Sequence, residues 1–130
     1  MESISLELRE ILYDSLSQIR QAIINLQQWN EGIDSLNDLM KTPSGMQNMA
    51  GNCMVIMAIA EGFKKIDKVT NGLLLIDRPE IPWHQVFGLR NRIAHGYFDI
   101  DVEMIEEVIK NDLAPLLDAT DYFLQKIQVQ

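Results

Sequence analysis

The sequence predicts an all-α protein, built as a bundle of four or five antiparallel helices. Apolar residues recur every three or four positions over long segments, which is the spacing of one face of a helix. No segment alternates apolar and polar residues as a strand would, and the breaks between helical segments are short. A chain of 130 residues has the size of one domain. Residues 1–130 are therefore expected to form a single domain.

The first helix has the clearest pattern. From Leu8 onward, one apolar stripe predicts an amphipathic helix of about 25 residues. The stripe continues through Leu12, Leu16, Ile19, Ile23 and Leu26. Gly32 and the stretch Thr42–Gly45 then mark two breaks, so residues 34–41 are expected to form at most a short helix.

The second long helix is unusually apolar. Its stripe consists of Met46, Met49, Cys53, Ile56, Ala60 and Phe63. Because every position from Met54 to Ala60 is apolar, this helix is expected to be buried on several sides. It lies either at the centre of the bundle or against a second subunit, and we favour the second subunit because a monomer seldom exposes such a patch.

Two proline residues help to place the later helices. Pro82 is expected at the first position of a helix that extends to about His95, and Gly96 is expected to end that helix, so that His95 is exposed there. Asp101 is expected to cap the last long helix, which Pro115 should kink or split. The stripe of that helix is Val102, Ile105, Ile109, Leu113, Leu116, Thr120, Phe123 and Ile127.

The composition argues against several classes of protein. No apolar run is long enough to span a bilayer and the acidic amino terminus does not resemble a signal peptide, so a cytoplasmic protein without a membrane partner is expected. The single cysteine, Cys53, has apolar neighbours apart from Asn52 and is interpreted as a structural thiol. No cluster has metal-ligand spacing and no phosphate-binding glycine loop is present, so neither a metal nor a cofactor is expected.

The charge is unevenly distributed. A net charge of −8 argues against general affinity for nucleic acid. However, residues 63–98 carry a net charge of +3, whereas residues 1–62 and 99–130 carry −5 and −6. An anion that approaches the protein would be expected at the positive segment, although chance can produce the same distribution.

The positive segment also contains the residues best suited to chemistry. Arg90, Asn91, Arg92, His95 and Tyr97 lie within eight positions of each other. Arginine offers a permanent cation that can bind a phosphate at two points, and histidine exchanges protons near neutral pH. These groups suffice for RNA cleavage without a metal: the ribose 2′-OH attacks the phosphate, His95 moves a proton, Arg90 stabilises the developing charge, and Asn91 orients either partner.

Helical geometry complicates this site. Arg90 and His95 are about 140° apart on an ideal helix, so the pair needs either the end of the helix at Gly96 or a second subunit across a twofold axis. The alternative interpretation is structural. In that case Arg90 and Arg92 simply pair with acidic helix faces, and His95 is favoured at a helix end by the macrodipole.

The residues around this site closely resemble the signature of HepT-like proteins of the HEPN superfamily. The resemblance is carried by Ile81-Pro82-Trp83 and by Gly88-Leu89-Arg90-Asn91-Arg92-Ile93-Ala94-His95-Gly96-Tyr97-Phe98. The family motif is an arginine, four residues, a histidine, one residue and a tyrosine. It falls on Arg90, His95 and Tyr97, with Asn91 in its usual place after the arginine.

The resemblance covers roughly residues 46–117, and residues 58–66 look like the family's earlier helix. It departs from the family pattern at Met104–Glu106, where many relatives carry a tryptophan, and at the Thr42–Gly45 break. Both departures are expected to affect packing more than chemistry.

The resemblance implies a homodimeric, metal-independent endoribonuclease toxin without a cofactor. Its partner would be a small nucleotidyltransferase antitoxin that silences it by transferring AMP to the motif tyrosine, here Tyr97. Arg90, His95 and Asn91 would be the catalytic residues. Further candidate contacts to RNA phosphates are Arg92, Lys64 and Lys65.

Two other functions remain open at this point. The chain could be a non-catalytic subunit that binds substrate for a partner nucleotidyltransferase, because the same cleft could hold an uncut nucleotide. It could instead be a helical adaptor whose acidic surface binds a basic protein.

Overall fold

The computed structural model describes residues 4–94 and 99–129, and all regular structure within these residues is helical. The α-helices are α1 Leu6–Trp29, α2 Pro43–Val69, α3 Trp83–Ile93, α4 Val102–Glu107 and α5 Leu113–Val129. Two 3₁₀ helices, Leu36–Lys41 and Leu75–Asp77, and one π-helical turn, Val108–Asp112, connect them. The predicted all-α bundle is confirmed, whereas the single domain over residues 1–130 remains a prediction.

Helix α1 agrees with the predicted amphipathic helix. It starts at Leu6 because the side chain of Ser5 accepts a hydrogen bond from the Leu8 N–H, at 3.0 Å. The predicted stripe Leu12, Leu16, Ile19, Ile23 and Leu26 is buried throughout. This face packs against α2 and α5.

Helix α2 begins earlier than the sequence pattern indicates. The Thr42–Gly45 stretch, predicted as a break, is the start of the helix: the Thr42 hydroxyl accepts from the Gly45 N–H at 3.0 Å, and Pro43 is the first helical residue. Residues 34–41 form the expected short helix, Leu36–Lys41. Its backbone passes so close to Gly45 that a Cβ there would lie 2.1 Å from the Leu39 carbonyl oxygen.

A buried pair of asparagines joins α1 to α2. The amide nitrogen of Asn30 donates to Asn52 Oδ1 at 2.8 Å, and the amide of Asn52 donates back at 3.0 Å. Asn30 also donates to the Leu26 carbonyl at the end of α1. Further along the same two helices, Gly62 of α2 allows close approach to α1, since a Cβ at Gly62 would lie 2.9 Å from the side chain of Ile19. The two helices are therefore antiparallel and fixed at both ends of their contact.

Helix α3 begins at Trp83, and the expected position of Pro82 is wrong by one residue. Pro82 is not the first helical residue but the N-cap, with φ −77° and ψ 76°, and its carbonyl accepts from the Val86 N–H at 3.0 Å. A cap residue keeps a non-helical ψ while its carbonyl already accepts the first helical hydrogen bond. Trp83 is therefore the first residue of the helix.

The last helical segment is interrupted, as Pro115 predicts. Asp101 caps α4 by accepting from the Met104 N–H at 3.1 Å, which confirms the predicted cap. The π-helical turn follows, and in it the Leu113 N–H donates to the Val108 carbonyl five residues earlier. A proline has no N–H to donate to the carbonyl four residues before it, and its ring crowds that carbonyl. The residue four positions before Pro115 lies in the π-helical turn, where the helix is wider. The side chain of Glu106 accepts from the Leu36 N–H at 2.7 Å, so this departure from the family pattern has a packing role.

A polar cluster ties the connection between α2 and α3 to α5. Asp77 accepts hydrogen bonds from Lys126 and Tyr122, and the hydrogen bond from Lys126 is the main cause that holds the pKa of Asp77 below its ordinary value. Arg78 donates to both Glu80 and Asp118. The cluster holds the 3₁₀ helix Leu75–Asp77 in place before α3.

The apolar character of α2 is only partly explained within one chain. The helix contacts α1, α3 and the 3₁₀ helix Leu36–Lys41. Nevertheless Met54 is 71% exposed, and Ala58 is exposed one turn later. A second subunit against this face remains a prediction. Among the described helices, none is both long and apolar enough to cross a bilayer.

Replacing Asn52 with alanine is expected to lower the free energy of unfolding by about 1–3 kcal/mol, because Asn30 then keeps a buried oxygen without a donor. Chemical denaturation of Asn30→Ala, Asn52→Ala and the double variant measures the coupling. The double variant should lose less than the sum of the single variants. Asn25→Ala, which breaks an exposed hydrogen bond with Gln21, is the control. Strictly additive losses would show that the two amides do not stabilise the fold as a pair.

Candidate active site

Trp83 sets the position of α3. Its indole N–H lies 3.0 Å from the carbonyl oxygens of both Leu75 and Arg78 and donates to both. Its ring packs against Phe63 of α2, with ring centroids 4.9 Å apart, and against Phe123 of α5 at 6.1 Å. The start of α3 is thus attached to the preceding 3₁₀ helix and to two other helices at once.

The same packing determines where Arg90 points. Phe87 and Arg90 follow Trp83 by one and two helical turns, so the three residues share a face that is directed toward α2. On α2, the carboxylate of Glu61 lies 3.4 Å from Arg90, between Oε1 and Nε. The two side chains are 51% and 55% exposed. The alternative interpretation is therefore correct about the contact, since Arg90 does pair with an acidic residue, but the pair stays open to solvent.

Lys64 and Lys65 extend this surface. They follow Glu61 by three and four residues on α2, which places all three side chains on one side of the helix. Both lysines are exposed, and neither has an ion-pair partner among the residues that the structure describes. The structure thus places Arg90, Lys64 and Lys65 on one surface. Among the described ion pairs, the pair of Glu61 with Arg90 is the one that lies on this surface. We call this the α2–α3 cationic surface.

Arg92 lies on a different side of α3. It is about 200° from Arg90 around the helix. It lines an open cleft of about 1050 Å³ between α3 and the α4–α5 segment. Six acidic residues also line this cleft: Glu80, Asp101, Glu103, Glu106, Glu107 and Asp112. Burial is the main cause that raises the pKa of Asp112, and the nearby Glu107 adds to it. Arg92 is therefore separated from the other candidate phosphate contacts.

Of the remaining motif residues, Asn91 lies within the described part of the chain. Asn91 is exposed near the end of α3, beside Arg90 in sequence. The helix ends at Ile93, and the Ala94 N–H donates to the Arg90 carbonyl at 2.9 Å. The helix was predicted to extend to about His95. His95 and Tyr97 lie outside the described residues, so their predicted roles rest on the sequence.

The structure agrees with the structural interpretation of Cys53. The side chain is buried on α2, and burial raises the pKa of the thiol. A raised pKa disfavours the thiolate, which is the nucleophilic form. Within residues 4–94 and 99–129, no three His, Cys, Asp or Glu side chains converge as metal ligands would. Metal independence of any reaction remains a prediction.

Glu61 is the residue of the site that sequence reasoning missed. It appears in the segment that resembles the family's earlier helix, but no local spacing connects it with Arg90, which lies 29 positions later. The only available signal was that Glu61 lies two positions before the net-positive segment. The contact becomes visible only when α2 and α3 are packed together.

The helical bundle, with an exposed arginine and asparagine near the end of a short helix, is consistent with the HEPN-like class. The chain matches the family described as ribonuclease HepT-like over residues 19–123. This range covers most of the chain, so the chain belongs to the HepT-like family.

Two curated relatives show local similarity. A protein of Thermococcus cleftensis described as a probable ribonuclease HepT is 37% identical over 38 residues, which are 29% of this chain and 34% of the relative. A candidate RNase of Methanocaldococcus jannaschii is 40% identical over 35 residues, 27% of this chain and 32% of the relative. The matches thus span about a third of each relative's length. No solved structure matches the chain.

Proposed function

We propose that the protein is an endoribonuclease that cleaves RNA without a metal ion. The observation that carries this proposal is the exposed guanidinium of Arg90 on the α2–α3 cationic surface, in a chain that belongs to a ribonuclease family. Exposure matters because a phosphate must reach the guanidinium. The guanidinium of Arg90 lies next to Lys64 and Lys65, which have no ion-pair partner among the described residues.

In the proposed reaction, the ribose 2′-oxygen attacks the adjacent phosphorus and the bond to the 5′-oxygen of the next nucleotide breaks. His95 takes the proton from the 2′-OH or delivers one to the leaving oxygen. Arg90 stabilises the negative charge that builds on the phosphoryl oxygens, and Asn91 orients His95 or the phosphate. The products are a 2′,3′-cyclic phosphate and a 5′-hydroxyl, so no external co-reactant is needed.

The charge distribution limits how RNA can bind. The protein carries a net charge of −8, so most of its surface repels RNA. We therefore expect a small contact at Arg90, Lys64 and Lys65, with binding that weakens as salt is added. Arg92 faces an acidic cleft, so we assign it a smaller part in RNA binding than its residue type alone indicates.

We further propose a homodimer. Met54, Ala58 and Glu61 lie at intervals of four and three residues, so the exposed apolar face of α2 continues into the Glu61–Arg90 pair. An exposed apolar face favours association, and a twofold axis there would bring two copies of Arg90 toward one cleft. Such an arrangement would let the motif residues of two subunits share one cleft.

The proposal includes a toxin–antitoxin role in the cytoplasm. A small nucleotidyltransferase would act as the antitoxin and transfer AMP from ATP to the hydroxyl of Tyr97, releasing pyrophosphate. The support is the position of Tyr97, two residues after His95 in the motif. AMP adds a phosphate and a nucleoside beside the catalytic residues, where it would exclude RNA by charge and by volume.

Arg90→Ala and His95→Ala are each expected to abolish cleavage of an RNA oligonucleotide in buffer that contains EDTA, because each removes one catalytic group. Arg92→Ala should retain most of the activity, and Arg20→Ala, which breaks a surface pair with Asp121, should retain all of it. Cleavage is measured by gel analysis of labelled RNA. Equal cleavage by all variants, or none by the wild type, contradicts the proposal. The second result would favour a non-catalytic substrate-binding subunit.

Met54→Glu is expected to convert the dimer into a monomer, because a charge replaces an apolar side chain that is 71% exposed in the isolated chain. Sedimentation velocity measures the mass in solution. Ile76→Glu is the matched control, since Ile76 is 66% exposed outside this face. A wild type that sediments as a monomer, or a control that dissociates equally, contradicts the proposed interface.

Incubation with ATP and the cognate small nucleotidyltransferase is expected to add AMP to the wild type and to stop cleavage. Tyr97→Phe should gain no AMP and stay active in the presence of the partner, because it lacks the acceptor hydroxyl. Intact-mass spectrometry detects the adduct, and Tyr13→Phe, at an exposed position of α1, serves as control. An adduct on Tyr97→Phe would mean that another residue is the acceptor.

A further inference from the structure

The ion pair between Glu61 and Arg90 connects two helices at a point where stability hardly needs it. Both side chains are about half exposed, and exposed ion pairs contribute little to the free energy of folding. The packing of Trp83 against Phe63 already joins α2 to α3 nearby. A contact with so little structural effect is better explained by what it does to the arginine side chain.

The carboxylate of Glu61 has other cations within reach. Lys64 and Lys65 lie three and four residues further along α2, which is the spacing at which acidic and basic side chains pair on a helix. Neither lysine is paired with Glu61, and the carboxylate is directed to Arg90 on the neighbouring helix. The two lysines are thereby left available to a phosphate.

The contact uses only one edge of the guanidinium. Its nearest approach, 3.4 Å at Nε, is an ion pair without hydrogen-bond geometry, and no other carboxylate among the described residues lies within ion-pair distance of Arg90. Arginine has five N–H donors in a planar fork, so the end that carries Nη1 and Nη2 can still bind two oxygens of a phosphate. A long side chain loses rotational freedom when it binds, and a side chain that is already held loses less.

We propose that Glu61 is a positioning residue, which holds Arg90 by its Nε edge and turns the terminal amino groups toward the RNA phosphate. This inference rests on the proposed ribonuclease function. Glu61 acts on the two parts of the reaction in opposite directions. Its carboxylate orients the arginine in the transition state, but its negative charge repels the RNA backbone during binding.

The two opposing effects give a kinetic signature. Glu61→Ala is expected to lower kcat about 10- to 100-fold, because a displaced catalytic group loses much of its effect. The KM should stay constant or fall, since a repulsive charge has been removed. Glu61→Asp keeps the carboxylate that pairs with Arg90 and should recover part of kcat. Alanine is the best helix former, so the exposed position should tolerate the change.

The kinetic test uses the full-length protein and a labelled RNA oligonucleotide in EDTA buffer. Glu31→Ala is the matched control, because it removes the same charge from an exposed residue without a described ion pair. The control should keep kcat unchanged. An unchanged kcat in Glu61→Ala, or an equal loss in the control, overturns the proposal. A rise in KM with constant kcat also overturns it, because Glu61 would then assist binding.

A second readout does not depend on cleavage. In ¹⁵N-labelled protein, the Arg90 Nε–Hε resonance is assigned by its loss in Arg90→Lys. It is expected to shift in Glu61→Ala and to stay in place in Glu31→Ala. If the wild type fails to cleave RNA but this resonance shifts, the proposed function fails while the ion pair holds. If it does not shift, Glu61 does not hold Arg90 and the inference fails regardless of activity.

Discussion

The indole of Trp83 is the contact on which the geometry of the site depends. Its N–H binds two carbonyl oxygens of the preceding 3₁₀ segment, and its ring touches aromatic rings on α2 and α5. A helix of eleven residues has little stability on its own. Packing at its first residue therefore fixes both the position and the rotation of α3. Because Arg90 lies two turns beyond Trp83 on the same face, this rotation brings its guanidinium to Glu61.

The sequence predicts the helices and their buried faces best where one physical effect dominates. The stripe of α1 was identified correctly because a 3.6-residue period leaves a single way to bury Leu12, Leu16 and Ile19. The start of α2 at Pro43 was missed, because a Thr-Pro-Ser-Gly stretch fits both a turn and a capped helix start. The close approach of the Leu39 backbone to Gly45 favours the helix, and that contact is tertiary. Pro115 predicted an interruption, but not that it would take the form of a π-helical turn.

The site divides in the same way. The motif shows which residues could carry chemistry, because arginine, asparagine and histidine are close together in the chain. Which of the cations share a surface is a different question, decided by the packing of helices. Arg90 and Arg92 are two positions apart, yet one faces α2 and the other an acidic cleft. Lys64 is far from Arg90 in sequence, yet both residues lie on the α2–α3 cationic surface. Such groupings depend on tertiary contacts and cannot be obtained from local spacing.

The acidic character of the protein follows from where its charges lie. Six carboxylates line the cleft beside Arg92. On the α2–α3 cationic surface, the described ion pairs involve one carboxylate, that of Glu61. Acidic residues therefore repel an RNA phosphate over much of the described surface, whereas the exposed Arg90, Lys64 and Lys65 attract it. Under the proposed function, few phosphates would be neutralised at once, so we expect a low general affinity for RNA. Such a surface does not bind tightly along the RNA strand. Under the proposed function, it instead favours the one orientation in which a phosphate contacts Arg90. Glu61 belongs to this balance, because the carboxylate that orients Arg90 also reduces the net positive charge of the surface.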